Sequence, residues 1–167
     1  MNRTIACVAA VALVVTACGG TLAPWVTEPI GTTVVRGDSV AFTATTRMSG
    51  DSVVVAATAI NISTRPVRLE WGACEVDVLL FRTADGSGTP AFDWAKRPPP
   101  AGMVYGCPLY LAMKTLIPGE SMSPNEFRVA MPVSRLGVDT LGAGTYYVTA
   151  KLIDMHVAVP AGRIELR

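Results

Sequence analysis

The residues that could support acid–base chemistry lie close together near the end of the sequence. The single histidine is His156, and Asp154 lies two residues before it. Residues two apart on a β-strand project from the same face, so the two side chains could form a general acid–base pair. The interpretation we prefer is a histidine at the surface or at a strand edge, without a catalytic role. No serine lies in a Gly-x-Ser-x-Gly turn, so the sequence gives no indication of an elbow-type hydrolase.

The four cysteines fall into two groups. Cys7 and Cys18 belong to an apolar N-terminal stretch, whereas Cys74 and Cys107 lie in the body of the chain. In an oxidising compartment the second pair predicts a disulfide. Two free thiols or a metal site are the alternatives, but a metal site needs further ligands at close spacing, such as Cys-x-x-Cys. We therefore expect a Cys74–Cys107 disulfide, no metal and no other cofactor.

The long segment from about Trp94 to Tyr110, which contains Cys107, is the strongest candidate for binding. It contains three consecutive prolines together with basic and aromatic side chains. Loops of this length in compact domains commonly carry function, and stiffening by prolines and a disulfide would lower the entropic cost of binding. The alternative is an Ω-loop that only covers one end of the domain. The candidate binding residues are Trp94, Lys96, Arg97, Tyr105 and Tyr110.

The N-terminal stretch has the layout of an export signal. Arg3 precedes an uncharged run over residues 5–17, which is shorter than the ~20 residues needed to span a bilayer. The sequence "VTAC" at residues 15–18 then resembles the lipobox of bacterial lipoproteins. In that family the cysteine receives a diacylglycerol and becomes the first residue after cleavage. An ordinary signal peptide that contains a cysteine is the alternative.

The lipobox resemblance implies a division of the chain into three parts. Residues 1–17 would be a signal peptide, residues 18–31 a lipidated tether, and residues 32–167 a folded domain. Two or three acyl chains on Cys18 would hold the protein on a membrane durably, because a single chain binds only marginally. The protein would then be lipid-anchored and extracytoplasmic, on the bacterial cell membrane or the outer membrane. Gly19 favours the outer membrane, since an aspartate there retains many such lipoproteins in the inner membrane.

Charge and composition limit the possible partners and folds. The chain has 14 Lys and Arg against 13 Asp and Glu, scattered singly along the sequence. Because a nucleic-acid-binding protein needs a basic surplus, we expect no nucleic-acid partner. Twelve prolines and fifteen glycines interrupt the chain often, which is typical of short strands joined by turns.

Most of the chain after residue 31 shows the hydrophobic period of two that indicates β-strands. Some of these segments alternate cleanly, as in "PVRLEW", and others are nearly continuous apolar runs, as in "DSVVVAATAINIS". Such strands, separated by turns like "ADGSG", predict an all-β fold and specifically an Ig-like antiparallel β-sandwich. The strand-like segments lie at residues 32–47, 51–63, 66–71, 74–83, 125–131, 144–154 and 162–167.

Four short motifs follow one another along the chain between residues 53 and 152, and their order is informative. They are "NISTRP" (61–66), "EVDV" (75–78), "TLIPGES" (115–121) and "GTYYVTA" (144–150). In this order they resemble the BsuPI-type proteinase-inhibitor family. The resemblance implies a small Ig-like β-sandwich and an inhibitory, protein-binding activity.

Together these patterns predict a membrane-anchored extracytoplasmic lipoprotein with a non-catalytic protein-interaction domain that resembles a proteinase inhibitor. It would not be an enzyme. Its partners would be the membrane, through the lipid anchor, and an envelope protein or a protease. A small-ligand-binding protein, or an envelope enzyme without a recognisable site, is the alternative.

Overall fold

The computed structural model describes residues 25–27, 33–36, 38–98, 106–107, 110–122, 125–136 and 141–166, with the backbone alone for 25–27. These residues form eleven β-strands and two short 3-10 helices, Trp94–Lys96 and Val133–Arg135. The strands are β1 (Trp25–Thr27), β2 (Val34–Arg36), β3 (Val40–Ser49), β4 (Ser52–Asn61), β5 (Val67–Gly72), β6 (Val76–Phe81), β7 (Phe92–Asp93), β8 (Leu111–Leu116), β9 (Phe127–Pro132), β10 (Gly144–Leu152) and β11 (Val157–Leu166).

The strands make two main sheets and a smaller third one. The first sheet has the order β1-β11-β10-β6-β7, and the second has the order β2-β3-β4-β9. Strands β5 and β8 form the third sheet, and every pairing is antiparallel. The predicted all-β antiparallel sandwich is therefore confirmed. The predicted signal peptide and Cys18 lie outside the described residues.

The core forms because alternate side chains of the strands turn inward. Phe42 of β3 and Tyr146 of β10 are fully buried, and Trp71 of β5 meets Phe127 of β9 edge to face at 5.4 Å between ring centroids. Burial of each large apolar side chain stabilises the fold by about 1.5–3 kcal/mol.

Tyr146 also fixes the entry to β10. Its hydroxyl donates to the carbonyl of Leu141 and, at 3.0 Å, to that of Gly142. Arg82 lies over the Tyr146 ring at 4.9 Å and donates to the same Leu141 carbonyl at 2.6 Å. A tyrosine bonded to the backbone just upstream of its own strand is a hallmark of Ig-type sandwiches, where it is called the tyrosine corner.

Asn61 joins the third sheet to the second. Its side-chain amide is fully buried and donates to the carbonyls of Arg65 at 2.8 Å and Leu116 at 2.9 Å. Its Oδ1 accepts from the backbone amide and the hydroxyl of Ser63. A buried amide with every group bonded fixes the turn after β4 and the end of β8 at once.

The turn after β8 has the sequence that its geometry requires. Pro118 and Gly119 occupy its centre, Gly119 has a φ of 79°, and the amide of Glu120 donates to the carbonyl of Ile117 at 2.9 Å. A positive φ at the third position of a turn favours glycine, and proline suits the position before it. This is the "PGE" segment of the sequence.

Two expectations from the sequence are corrected. The hairpin turn between β10 and β11 comprises residues 153–156, so Asp154 and His156 do not lie on one face of a strand. His156 has a left-handed φ of 53°, and the Asp154 carboxylate accepts the Gly72 amide at 2.7 Å. Second, β1 lies within the expected tether, yet its backbone pairs with Arg163–Glu165 of β11.

Candidate functional site

A cleft of about 440 Å³ opens at the end of the sandwich where the β10–β11 turn lies. We call this end the cleft pole. The walls come from the connection between β5 and β6, from residues 94–97, and from the beginning of β9. Its lining combines acids, arginines and aromatic rings, namely Glu75, Asp77, Trp94, Arg97, Tyr110 and Arg128.

The disulfide forms part of the cleft wall. The Cα atoms of Cys74 and Cys107 lie 5.7 Å apart, within the usual range for a bridge, and their sulfurs are bonded. The predicted pairing is thereby confirmed. Both cysteines are exposed at the surface and both line the cleft. The bridge ties the far end of the loop to the β5–β6 connection.

Trp94 is the aromatic centre of the cleft. It is 8% exposed, and the guanidinium carbon of Arg97 lies 3.0 Å from its ring centroid. Arg97 also donates to the Trp94 carbonyl, and Arg135 approaches the same ring at 5.7 Å. Burial, together with the positive charge of Arg135, lowers the pKa of Arg97 to about 10. The result is a cation–π stack that presents positive charge beside a flat apolar surface.

A buried acid, Asp77, holds the backbone turn that carries this stack. Asp77 is 5% exposed, and its Oδ1 accepts the amides of Val78 at 2.8 Å and Ala95 at 2.9 Å. The Ala95 bond holds the helical turn that carries Trp94. Burial raises the pKa of Asp77, and the nearby Asp93 carboxylate raises it further.

Asp93 has the opposite shift. Although burial acts to raise its pKa, the hydrogen bond and charge of Lys96, whose Nζ lies 2.9 Å from Oδ2, lower the pKa below the usual value. The Oδ1 of Asp93 is buried without a hydrogen-bond partner among the described residues. A proton on Asp77 would supply a donor for this oxygen, and the two acids influence each other's pKa.

A second buried acid, Glu75, holds the β10–β11 turn. Its carboxylate accepts the amides of Asp154 at 3.0 Å and Met155 at 3.3 Å, and its carbonyl accepts that of Ile153 at 2.9 Å. Burial raises the pKa of Glu75 to about 7, against the lowering effect of the two backbone bonds. Close to neutral pH, this acid therefore gains and loses a proton while it holds the turn.

The structure places four of the five candidate binding residues. Trp94, Arg97 and the exposed Tyr110 meet at the cleft, whereas Lys96 is exposed and pairs with Asp93 instead of lining it. Tyr105 lies outside the described residues. Whether these residues bind a partner remains a prediction.

Glu75 and Asp77 are cleft residues that were not predicted from the sequence. One signal could have found Asp77. The run "VDVLLF" of β6 is apolar on both faces, which is typical of a central strand, and an acid inside such a strand is buried. Glu75 lies just before that strand, and its role depends on the turn at residues 153–156, which is distant in the sequence.

The part of the chain that the structure describes contains no group of three or more His, Cys, Asp or Glu side chains that could hold a metal ion. Within that same part, no helix has the length and apolar character that crossing a membrane requires.

The chain matches no family model, no curated protein and no solved structure.

Proposed function

We propose that the protein is a lipid-anchored, extracytoplasmic interaction module that binds a partner protein at the cleft pole and performs no catalysis. The observation that carries this proposal is the position of the cleft, which lies at the end of the sandwich opposite the point where the chain enters it. The lipobox-like sequence ending at Cys18 supports the anchor.

The direction of β1 supports this arrangement. Trp25 pairs with Glu165, next to the beginning of β10, so the chain enters the sheet at the end opposite the cleft. We call that end the anchor pole. From Thr145, opposite Glu165, to Leu152 the strand spans about 24 Å at ~3.4 Å per residue. A lipid on Cys18, seven residues before Trp25, would lie within about 25 Å of the anchor pole even with the chain fully extended.

The chemistry of the cleft supports a protein partner. Tyr110 is 56% exposed, and tryptophan, tyrosine and arginine are the residue types that most often dominate protein interfaces. Arg97 is already ordered by its stack on Trp94, so little side-chain entropy would be lost when a partner binds. The formed disulfide agrees with an oxidising compartment.

A small-molecule ligand is the second candidate. The volume of the cleft, about 440 Å³, falls within the range of ligand pockets, which is roughly 300–1,000 Å³. A ligand with an aromatic body and polar groups would suit the exposed Tyr110 ring and a lining that holds both acids and arginines.

The test uses the full chain in envelope membranes. A photo-crosslinking amino acid replaces Tyr110 at the cleft pole and, as a matched control, the exposed Thr145 at the anchor pole. We expect position 110 to crosslink to one envelope protein and position 145 to give no such product. Arg97→Ala should reduce the crosslink at position 110. Crosslinking from position 145 alone, or saturable turnover of a substrate by the purified protein, would contradict the proposal.

The anchor needs a separate measurement. Metabolic labelling with palmitate should mark the wild-type protein and should be lost in Cys18→Ser, which should accumulate as a longer precursor. Unchanged labelling in that variant would remove the lipid anchor from the proposal but would leave the binding role of the cleft to the crosslinking test.

A further inference from the structure

The edges of the three sheets differ in how they are protected against pairing with another chain. An edge strand presents unpaired amide and carbonyl groups, and natural proteins protect it by shortness, charge, proline or a bulge. The edge strands β1, β2 and β7 have only two or three residues each. Strand β9 carries the exposed Arg128 and ends in Pro132. Strand β5 presents Arg68 and Glu70, which form an ion pair at 2.7 Å.

Strand β8 is less protected than these strands, because it is longer than β1, β2 and β7, contains no proline and carries a single charge, Lys114. It has six residues, pairs with β5 in unbroken register, and pairs with no other described strand. Its outward side chains are uncharged, and two are exposed and apolar, Leu111 at 60% and Met113 at 54%. Its one charged residue, Lys114, lies at the alternate position and pairs with Glu120 at 3.0 Å. An exposed, regular and apolar edge of this kind is a template for strand addition.

We propose, building on the function proposed above, that β8 is the docking edge for an extended segment of the partner protein. The segment adds beside β8 as a third strand and places one side chain in the cleft. The partner chemistry is therefore an extended backbone with alternating apolar side chains and one aromatic side chain at the end nearest Leu111.

The unpaired backbone of β8 selects an extended segment. Main-chain hydrogen bonds give such added strands their affinity, and pockets for alternate side chains give them specificity. A two-stranded sheet is marginal by itself, and a third strand would extend the hydrogen-bonded ladder. The cleft is continuous with this edge, because a neighbouring hollow lined by Gly72, Cys74, Tyr110 and Leu111 shares residues with it.

The chemistry of the cleft favours a different protein over a second copy of this chain. The exposed Tyr110 ring and the Arg97 guanidinium offer surfaces on which an aromatic side chain can stack. The lining holds charges of both signs, because Glu75, Asp77 and Glu126 lie there with the arginines. A second β8, with the sequence "LAMKTL", offers no aromatic side chain. Pairing of β8 with its own copy would therefore leave the cleft unfilled.

The experiment uses the full-length lipidated chain in detergent micelles as bait for a displayed library of short random peptides. Selected peptides should lack proline at their centre and alternate in hydrophobicity. The best peptide is then synthesised with single backbone N-methyl groups at each position. We expect methylation at every second residue to weaken binding by at least about tenfold, roughly 1.4 kcal/mol, and methylation between them to have little effect.

Variants of the bait locate the edge. Leu111→Lys should weaken the peptide by at least about tenfold, whereas Thr45→Lys should not. Thr45 is the matched control because it is exposed on β3, which belongs to the second sheet and contributes no residue to the cleft lining. Thermal melting checks that both variants fold. If Leu111→Lys does not fold, the binding of the N-methylated peptides to the wild-type chain still tests the proposal.

Three results would overturn the docking edge. They are the absence of any selected peptide, equal effects of N-methylation at both sets of positions, and a wild-type dimer that Leu111→Lys converts to a monomer. If the crosslink from position 110 persists in any of these cases, the proposed function stands and only the docking edge fails. Peptide binding at β8 without an envelope crosslink from position 110 would support the docking edge and contradict the proposed function.

Discussion

The two poles of the sandwich fasten their turns by different chemistry. At the anchor pole, the Tyr146 hydroxyl and the Arg82 guanidinium donate to the turn around Leu141. At the cleft pole, the buried carboxyls of Glu75 and Asp77 accept from backbone amides. A hydroxyl makes these bonds without a change of charge, but a buried carboxylate loses solvation and has a raised pKa.

This difference indicates that the fold is less stable at the cleft pole than apolar or neutral groups there would make it. Buried titratable acids are costly and concentrate at functional sites, although structural networks can also contain them. The anchor pole matches the pattern of a structural corner. The cleft pole combines raised pKa values, a cleft and a strand edge with little protection, and is the pole at which a partner would have most to recognise.

Removal of the disulfide should give the largest effect. The bridge closes a loop with a sequence separation of 33 residues, for which the chain-entropy estimate is about 3–4 kcal/mol. We expect the Cys74→Ser, Cys107→Ser double variant to lower the free energy of unfolding by about that amount, measured by urea denaturation. The unreduced wild type is the control. An unchanged midpoint would mean that the cleft pole does not depend on this bridge.

The pH dependence of stability should distinguish the poles next. Because the folded-state pKa of Glu75 is raised from 4.5 to about 7, the folded state binds a proton more tightly than the unfolded state. The favourable contribution of that proton is complete below pH 4.5 and is lost as the pH rises towards 7, by up to about 3 kcal/mol.

The matched variant is Glu75→Gln, which keeps an amide oxygen as acceptor and has no proton to lose. Its stability, followed by thermal melting from pH 4.5 to pH 7.5, should fall less over this window than that of the wild type. Parallel curves for the two proteins would show that Glu75 does not titrate with the raised pKa.

Tyr146→Phe tests the anchor pole and should have a smaller effect. It removes the hydroxyl that donates to Leu141 and Gly142 but keeps the buried ring and the Arg82 bond. We expect a loss of about 1–2 kcal/mol that is the same at pH 5 and pH 7. A strongly pH-dependent loss of stability would contradict the expectation that the bonds at the anchor pole do not depend on a titrating group.

Asp77→Asn should have the smallest effect. The amide oxygen still accepts the Val78 and Ala95 amides, and the new amide group can donate to the unsatisfied Oδ1 of Asp93. We expect a change of less than about 1 kcal/mol at pH 7, whereas Asp77→Ala should cost about 2 kcal/mol or more. A large loss in the asparagine variant would mean that the ionised acid is needed.

The fold was predictable from the sequence because its strands carry the period of two on which burial depends. Strand β8 escaped prediction because its alternation is inverted, with Leu111 and Met113 exposed rather than buried. β1 has only three residues, within the four that separate Pro24 from Pro29, and is too short to show a pattern. The disulfide followed from counting cysteines.

The site was only partly predictable. The positions of Trp94 and Arg97 in a long loop suggested a binding region, but their stacking depends on the buried bond from Ala95 to Asp77. The hypothesis of an Asp154–His156 pair failed because strand periodicity does not indicate where a hairpin turns. Long-range contacts, such as Glu75 with Met155, leave no local signal in the sequence.

The pairing of β1 also has a mechanical consequence. If a partner pulls on the cleft pole while a lipid holds the chain before Trp25, the load runs along the strand axes, because β1 enters at the opposite pole and lies antiparallel to β11. A load in this direction shears β1 against β11 and strains the hydrogen bonds of the pair together, instead of opening them one after another. The first segment to yield is the three-residue β1, which would lengthen the connection to the membrane while the sandwich of β3, β4, β10 and β11 stays folded.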